Sequence, residues 1–340
     1  MSLLRRARTD SATPLDGADA VLADLDGVVY AGPSALPHAV ESLNAVAATM
    51  PVGYITNNAS RSDATVAAHL GDLGLRVAPE HVVTSPQAAM RLLRAAVDPG
   101  ATVLVVGGEG IIVELERAGY VPTRSAEDAP AAVVQGFAPD VGWTQLAEAS
   151  FAINDAADRG GIPWIATNTD WTIPVARGIA PGNGTLVSAV HTAVGILPQV
   201  AGKPETPIFT EATERFGVAS PLMIGDRLDT DILGARRAGI RSALVLTGID
   251  RAKQVLAAKP EMRPDFVLAD LRGLHEPYPE TRTRRDGGVS VGDAVVRIDG
   301  RQVTVVRDGD PLDLLRAAAA AIWGSATPIH GLEVPERLYA

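Results

Sequence analysis

Short apolar runs alternate with longer amphipathic stretches along most of this chain, and that alternation implies a parallel sheet with helices on its faces. Strand-like runs fall at 20–25, 52–56, 102–106, 131–135, 163–167, 222–224 and 242–246. Helical patterning covers 63–73, 86–96, 111–118, 144–159, 208–216 and 230–238. Glycine follows several of these helices, at Gly74, Gly119, Gly217 and Gly239, where a left-handed residue closes the last turn. A chain of 340 residues holds roughly one large domain or two to three ordinary ones.

Past residue 276 the pattern changes. Residues 277–288 are rich in charge, threonine, proline and glycine and read as a linker, with Arg282, Arg284 and Arg285 as solvated charges. Two strand-like runs, 292–298 and 302–306, are joined by an Asp299-Gly300 turn and followed by a helix over 312–323. The expectation is a small ββα extension at 287–340. The first fifteen or so residues are polar and read as loose.

The net charge of −10 gives no electrostatic reason to bind nucleic acid. With no cysteine, disulfides, thiolate metal sites and cysteine nucleophiles are excluded. No apolar run is long enough to span a bilayer, and the N-terminal residues lack the apolar segment of a signal peptide. A cytoplasmic protein with no membrane partner is expected.

Four separated segments carry chemistry. In Asp24-Leu25-Asp26-Gly27 two aspartates end an apolar strand, where charge is depleted. Alternate residues of an extended chain point the same way, so the pair repels unless a cation intervenes or one acid is protonated. The bland reading is a strand end followed by an Asp-Gly turn. In Thr56-Asn57-Asn58-Ala59-Ser60-Arg61 a strand ends in small uncharged donors that suit a phosphate, or that cap the next helix through Asn58 or Ser60. A lone lysine is usually solvated, but Lys203, between Gly202 and Pro204 at the entry to a helix, is a candidate fixed cation. In Gly225-Asp226-Arg227-Leu228-Asp229-Thr230-Asp231 another strand ends in acids. Asp226 is the best metal ligand, Asp229 or Thr230 is placed to cap a helix, and Asp231 falls in its first turn. Strand ends of an open parallel sheet are where ligands bind. The joint set suits phosphoryl transfer through an aspartyl-phosphate.

In order and content these runs resemble the haloacid dehalogenase superfamily, over about residues 18 to 275. The fuller forms of the threonine and final acid motifs resemble its class IIA, the NagD-like and p-nitrophenylphosphatase-like enzymes. The run 55–62 and the C-terminal extension are similar to those of actinobacterial glycerol 3-phosphate phosphatases. The resemblance implies a Rossmann-like α/β core at 16–99 and 198–276, with an α/β cap of the C2 type inserted at 100–197. It implies that Asp24 attacks phosphorus, while Asp26 protonates the leaving oxygen and then activates water. Asp24, Asp226 and the Asp26 carbonyl would hold Mg2+, and Thr56, Asn57, Asn58 and Lys203 the phosphate. An acid at Asp26 favours phosphatase over dehalogenase chemistry.

Arg61 and Asp170, the latter in the run Ala166-Thr167-Asn168-Thr169-Asp170, are candidate specificity residues. Val106-Gly107-Gly108-Glu109-Gly110 lacks the spacing of a nucleotide loop and reads as a turn in the cap. The six histidines show no ligand spacing, and Trp143, Trp164 and Trp171 read as core, with substrate contact in the cap as the alternative. The partner is a small phosphorylated metabolite, with glycerol 3-phosphate the leading expectation and a homo-oligomer allowed. The alternatives are phosphoglycolate, a nucleotide or a sugar phosphate, or a phospho-ligand sensor whose C-terminal unit binds a partner.

Overall fold

A computed structural model describes residues 12–175 and 177–339. The expectation of a loose start falls largely on residues 1–11, which lie outside the described residues. Six strands form the first sheet, in the order Phe266–Leu268, Arg241–Val245, Leu222–Gly225, Val21–Ala23, Val52–Thr56, Val82–Thr84. Every pairing in it is parallel. Helices cover both faces, so Val21, Leu22 and Ala23 are all wholly buried and the strand shows no polar alternation.

Capping residues fix the helices that flank the site. Ser62 Oγ accepts from Thr65 N at 3.2 Å and starts helix Asp63–Asp72. Neither Asn58 nor Ser60 caps it: Asn58 Oδ1 instead accepts from Ser60 N and Oγ, tightening a local turn. Thr84 and Gln87 form a capping box at the start of helix Ser85–Ala96. The four helix-closing glycines all have positive φ.

A second parallel sheet runs Gln199–Val200, Trp164–Ala166, Ala132–Gln135, Thr102–Val106, Val121–Thr123. An antiparallel hairpin, Thr172–Val175 with Gly178–Pro181, projects from it. That hairpin was not legible in the sequence. One apolar cluster joins the two sheets, combining Leu22, Ile55 and Met90 with Val103, Ile111 and Ile165. The turn at Gly107–Gly110 packs tightly on the loop after Val52–Thr56. A Cβ on Gly110 would stand 2.7 Å from Ala59 O and 2.9 Å from Arg61 O.

The C-terminal unit has four antiparallel strands, Thr281–Thr283, Val289–Val291, Ala294–Asp299 and Gln302–Arg307, under helix Pro311–Trp323. Two corrections follow. The 277–288 segment is not only linker, because Thr281–Thr283 pairs in register with Val289–Val291. The run expected at 292–298 begins only at Ala294, because Gly292 and Asp293 form a turn that joins it to a separate strand, Val289–Val291. The first of these strands is exposed and charged, so only its partner reveals it. Arg282 and Arg284 do lie at the surface, beside Glu280 and Asp286. The Asp299-Gly300 turn forms as expected, with Asp299 facing Gln302 across it.

The helix of this unit buries Leu315, Ala318 and Ile322 against Leu228, Ile232, Leu244 and Val255 of the main body. It also covers the outer edge of the first sheet. Arg316 donates to Val267 O from Nε at 3.0 Å and Nη2 at 2.7 Å, and Val267 N donates to Tyr278 Oη at 3.0 Å. An edge strand's free backbone groups are thereby satisfied. No helix among the described residues is long and apolar enough to cross a membrane.

Candidate active site

Strand Val21–Ala23 lies between Val52–Thr56, which follows it early in the chain, and Leu222–Gly225, which returns much later. The strand order therefore reverses beside it, and the crevice at such a switch point is where an open parallel sheet binds ligands. Ala23 pairs with Ile224, and Asp24 N donates to Ile224 O at 2.9 Å. Asp24 and Asp226 are thus carried to the same end of adjacent strands by register alone.

Asp24, Asp226 and Asp231 each bring a carboxylate oxygen within 4.8 Å of the others. Lys203, only 3% exposed, sits against this group. Its Nζ bonds to Asp24 Oδ1 and lies 2.7 Å from Asp231 Oδ1. Burial works against the lysine charge, but Asp231 and Asp24 more than offset it and the Lys203 pKa is raised. Burial pushes the Asp24 carboxyl well above its usual range, with Asp231 and Asp226 adding to the effect and Lys203 opposing it. Burial and the charge of Asp231 raise Asp226 to about 7. Two glycines make room for it. A Cβ on Gly27, whose φ is +81°, would lie 2.3 Å from Asp226 Oδ2, and one on Gly248 would lie 1.9 Å from the same atom.

Asp26 stands at the mouth of the crevice, where solvent reaches it. Protein atoms crowd it on the other sides, and this loss of water raises its pKa. Tyr30 Oη donates to Asp26 Oδ2 at 3.3 Å, and the charges of Lys203 and Arg61 oppose the rise. Arg61 is exposed, with its charge felt at Asp26. His69 stacks edge-on with Tyr30 at 5.2 Å between ring centroids.

Thr56 Oγ1 accepts from Asn58 N at 3.1 Å, which leaves its own hydrogen to donate. The Asn57 side chain is occupied differently from the phosphate contact expected of it. Its Oδ1 accepts from Lys203 N at 2.8 Å, and its Nδ2 donates to Lys203 O at 3.0 Å and to the Asp170 carboxylate at 3.1 and 3.2 Å. Asp170 is half-buried, and its partial loss of water raises its pKa. Asp229 turns outward and pairs with Arg227 at 2.9 Å, so it neither caps a helix nor joins the carboxylates. Asp231 does more than sit in a first turn. Its Oδ2 accepts from Arg227 N at 3.1 Å while Oδ1 faces Lys203.

Sequence reasoning missed Asp250, whose Oδ2 accepts from Leu228 N at 2.7 Å, and Ile249, whose N donates to Asp226 Oδ2 at 2.7 Å. Both follow strand Arg241–Val245, so the rule that picked out the other strand ends also pointed here. Of the three tryptophans read as core, only Trp164 is buried, with Nε1 donating to Gln135 Oε1. Trp143 and Trp171 are 79% and 67% exposed.

A parallel α/β core that gathers three carboxylates and a buried lysine at its switch point, beneath an inserted second sheet, defines a capped phosphohydrolase. The chain belongs to the haloacid dehalogenase-like hydrolase family, in its NagD-like and p-nitrophenylphosphatase-like branch. The Haloacid dehalogenase-like hydrolase family model matches residues 21–121, and a second HAD-hydrolase-like model matches 200–274. A GCN5-related N-acetyltransferase like domain matches 289–333. The D-glycerol 3-phosphate phosphatase of Mycobacterium tuberculosis is 43% identical over 92% of this chain and 88% of its own. A crystal structure of glycerol phosphate phosphatase from the same organism, in complex with magnesium, superposes with a TM-score of 0.84 at 40% identity, covering 96% of this chain and 95% of that one. The p-nitrophenyl phosphatase of Archaeoglobus fulgidus gives 0.68 at 27% identity, covering 76% of this chain and 98% of its own.

Proposed function

We propose that this protein is a Mg2+-dependent glycerol 3-phosphate phosphatase with Asp24 as its nucleophile. The observation that carries the reading is the convergence of Asp24, Asp226 and Asp231 around the single buried ammonium of Lys203. One lysine leaves surplus negative charge in a largely desolvated crevice, which a cation would balance. The donors are all oxygen, as a hard divalent cation requires. Asp24, Asp226 and the Asp26 backbone carbonyl would hold the ion, because both oxygens of Asp231 already face other partners. When bound, magnesium neutralises charge on the transferring phosphoryl group.

The residues divide the remaining work. The Asp24 carboxylate attacks phosphorus and the ester oxygen leaves, giving an aspartyl-phosphate. Asp26, its carboxyl biased towards the protonated form by crowding, gives its proton to the departing alkoxide. The resulting Asp26 carboxylate then takes a proton from water as that water attacks the aspartyl-phosphate, which returns Asp24 and releases inorganic phosphate. Lys203 and the Thr56 hydroxyl bear on the phosphoryl oxygens. Exposed Arg61, whose charge is felt at Asp26, is placed to meet the alcohol portion as it leaves.

Glycerol 3-phosphate is favoured because the relatives bearing that name match nearly the whole chain, C-terminal unit included. The Staphylococcus aureus acid sugar phosphatase, 34% identical over 74% of this chain and 95% of its own, matches less of it. An intact Asp26 argues against a non-catalytic phospho-ligand sensor. The same proposal places the enzyme in the cytoplasm, since a chain without cysteine needs no oxidising compartment.

The test is phosphate release from glycerol 3-phosphate, phosphoglycolate, sugar phosphates and nucleotides, with and without Mg2+, by the wild type and by Asp24→Asn. Wild-type kcat/KM is expected to be highest for glycerol 3-phosphate, and D24N to be inactive while remaining folded. Undiminished turnover in D24N would overturn the nucleophile assignment; a higher kcat/KM on another ester would overturn the substrate.

A further inference from the structure

Two residues of the second sheet's last long connection grip one residue of the core. Asn168 Nδ2 donates to the Asn57 main-chain oxygen at 2.8 Å, and the Asp170 carboxylate accepts from Asn57 Nδ2. Asn57 in turn holds both backbone groups of Lys203. The peptide that carries the buried lysine is therefore clamped by a carboxamide whose own orientation is set from the cap.

Nothing in this arrangement is loose. Asp170 N donates to Asn168 Oδ1 at 3.2 Å, and Asn183 Nδ2 donates to Asn168 O at 2.7 Å. Gly182 and Gly184 let the return strand of the hairpin close on the same spot. A Cβ on Gly182 would lie 2.3 Å from Asp170 O, and one on Gly184 2.3 Å from Thr169 O. Gly202, next to the lysine, is equally crowded: a Cβ there would lie 2.5 Å from both Asn57 Oδ1 and Thr167 O. Cap, Asn57 and the lysine peptide meet at one tightly packed joint.

A carboxylate is the natural partner for an amide donor that must not rotate. Were the Asn57 carboxamide to flip, its oxygen would face Asp170 and its NH2 would face Lys203 N, so both contacts would be lost. We propose that Asp170 is a positioning residue: by fixing the Asn57 carboxamide it sets the Lys203 peptide, so that the phosphate cradle is complete only when the cap is docked. This rests on the phosphatase reading and refines the role of Asp170 from selecting the alcohol to orienting the lysine.

The two roles separate on substrates with unlike leaving groups. The measurement is kcat/KM of wild type, Asp170→Ala and Asp170→Asn on glycerol 3-phosphate and on p-nitrophenyl phosphate, with melting temperatures alongside. D170A is expected to lose about 10- to 100-fold, the range a small misplacement of a catalytic group produces, and by the same factor on both esters. D170N keeps a carbonyl oxygen facing Asn57 Nδ2 and is expected to recover most of the loss. Asn57→Ala is expected to match D170A, with the double variant no worse than either, because both act through one joint.

Unequal loss on the two esters would overturn the proposal in favour of direct substrate contact. Full activity in D170A, or additive losses in the double variant, would overturn it outright. If D170A does not fold, N57A breaks the same clamp from the core side and carries the same expectation. A failure of the underlying reading is distinguishable, since it shows as a wild type that D24N does not impair.

Discussion

Gly248 offers a steric test of the proposed metal centre that leaves every ionisable group in place. It lies in the loop after strand Arg241–Val245, and its backbone does not need the left-handed region, so alanine adds no conformational strain there. The added Cβ would fall 1.9 Å from Asp226 Oδ2 and 2.3 Å from Asp226 Cβ. Real Cβ contacts stay beyond 3.0 Å, so the carboxylate or the loop must move by about 1.1 Å. The loop is tied to the same carboxylate through Ile249 N, so the two cannot separate without losing that bond. Overpacking of this kind costs about 1–3 kcal/mol, and a displaced ligand lowers metal affinity by about 10- to 100-fold. For a chain of 340 residues, with about 2.1 cal/mol/K of unfolding entropy per residue, about 2 kcal/mol lowers the melting temperature by about 3 °C. The assay is Mg2+ titration of glycerol 3-phosphate hydrolysis by Gly248→Ala, with calorimetric Mg2+ binding and melting in EDTA. Gly71→Ala is the control. Gly71 lies within helix Asp63–Asp72 and a Cβ there meets nothing within 4 Å. It is expected to gain roughly 0.5–1 kcal/mol from helix propensity and leave Mg2+ binding alone. Wild-type Mg2+ affinity in G248A would refute the view that Asp226 is held in a space a single methyl group closes.

Two other predictions address stability. Glu114 lies buried between Gln87 and Arg117, and burial raises its pKa above the usual 4.5. A raised carboxyl contributes fully below the unfolded value, and that contribution is lost as pH rises through the folded value. Glu114→Gln is therefore expected to be more stable than wild type at pH 8, with the difference vanishing near pH 4; denaturant titrations across that range showing a constant difference would contradict the burial argument. Arg316→Ala removes both donors from Val267 O and the cation lying 4.5 Å over the Tyr278 ring. It is expected to cost about 1–3 kcal/mol in urea denaturation, with kcat unchanged in the folded protein.

What the sequence made legible has a common physical origin. Asp24, Thr56 and Asp226 all stand where an apolar run stops, and strand ends of one sheet must meet at one edge once the strands are parallel. Lys203 lacked that signal and was found through its glycine and proline neighbours. The Asn57 side chain looked like a phosphate donor because an amide carries no mark of its partner, and that partner is a lysine backbone distant in the chain. Asp229 and Asp231 are two residues apart, yet one pairs outward with Arg227 and the other faces Lys203. The turn of helix Leu228–Ile232 separates them, and its irregular geometry left no pattern in the sequence. Thr281–Thr283 escaped for the opposite reason. It is a strand with no buried face, recognisable only once Val289–Val291 is beside it.

The contact between Asn57 and Lys203 joins positions separated by 146 in sequence. A fastening at the two ends of so long a detour makes the core indifferent to much of what lies between them. Closing entropy grows only as the logarithm of length, about 0.6 kcal/mol per doubling. Residues can accordingly be added to the intervening cap, or a cap exchanged for that of a relative, at little thermodynamic cost so long as both ends still meet. New substrate ranges are then open to such chains by transplantation, provided the incoming cap matches the apolar seam against Ile55 and Met90 and the partners of Asn57.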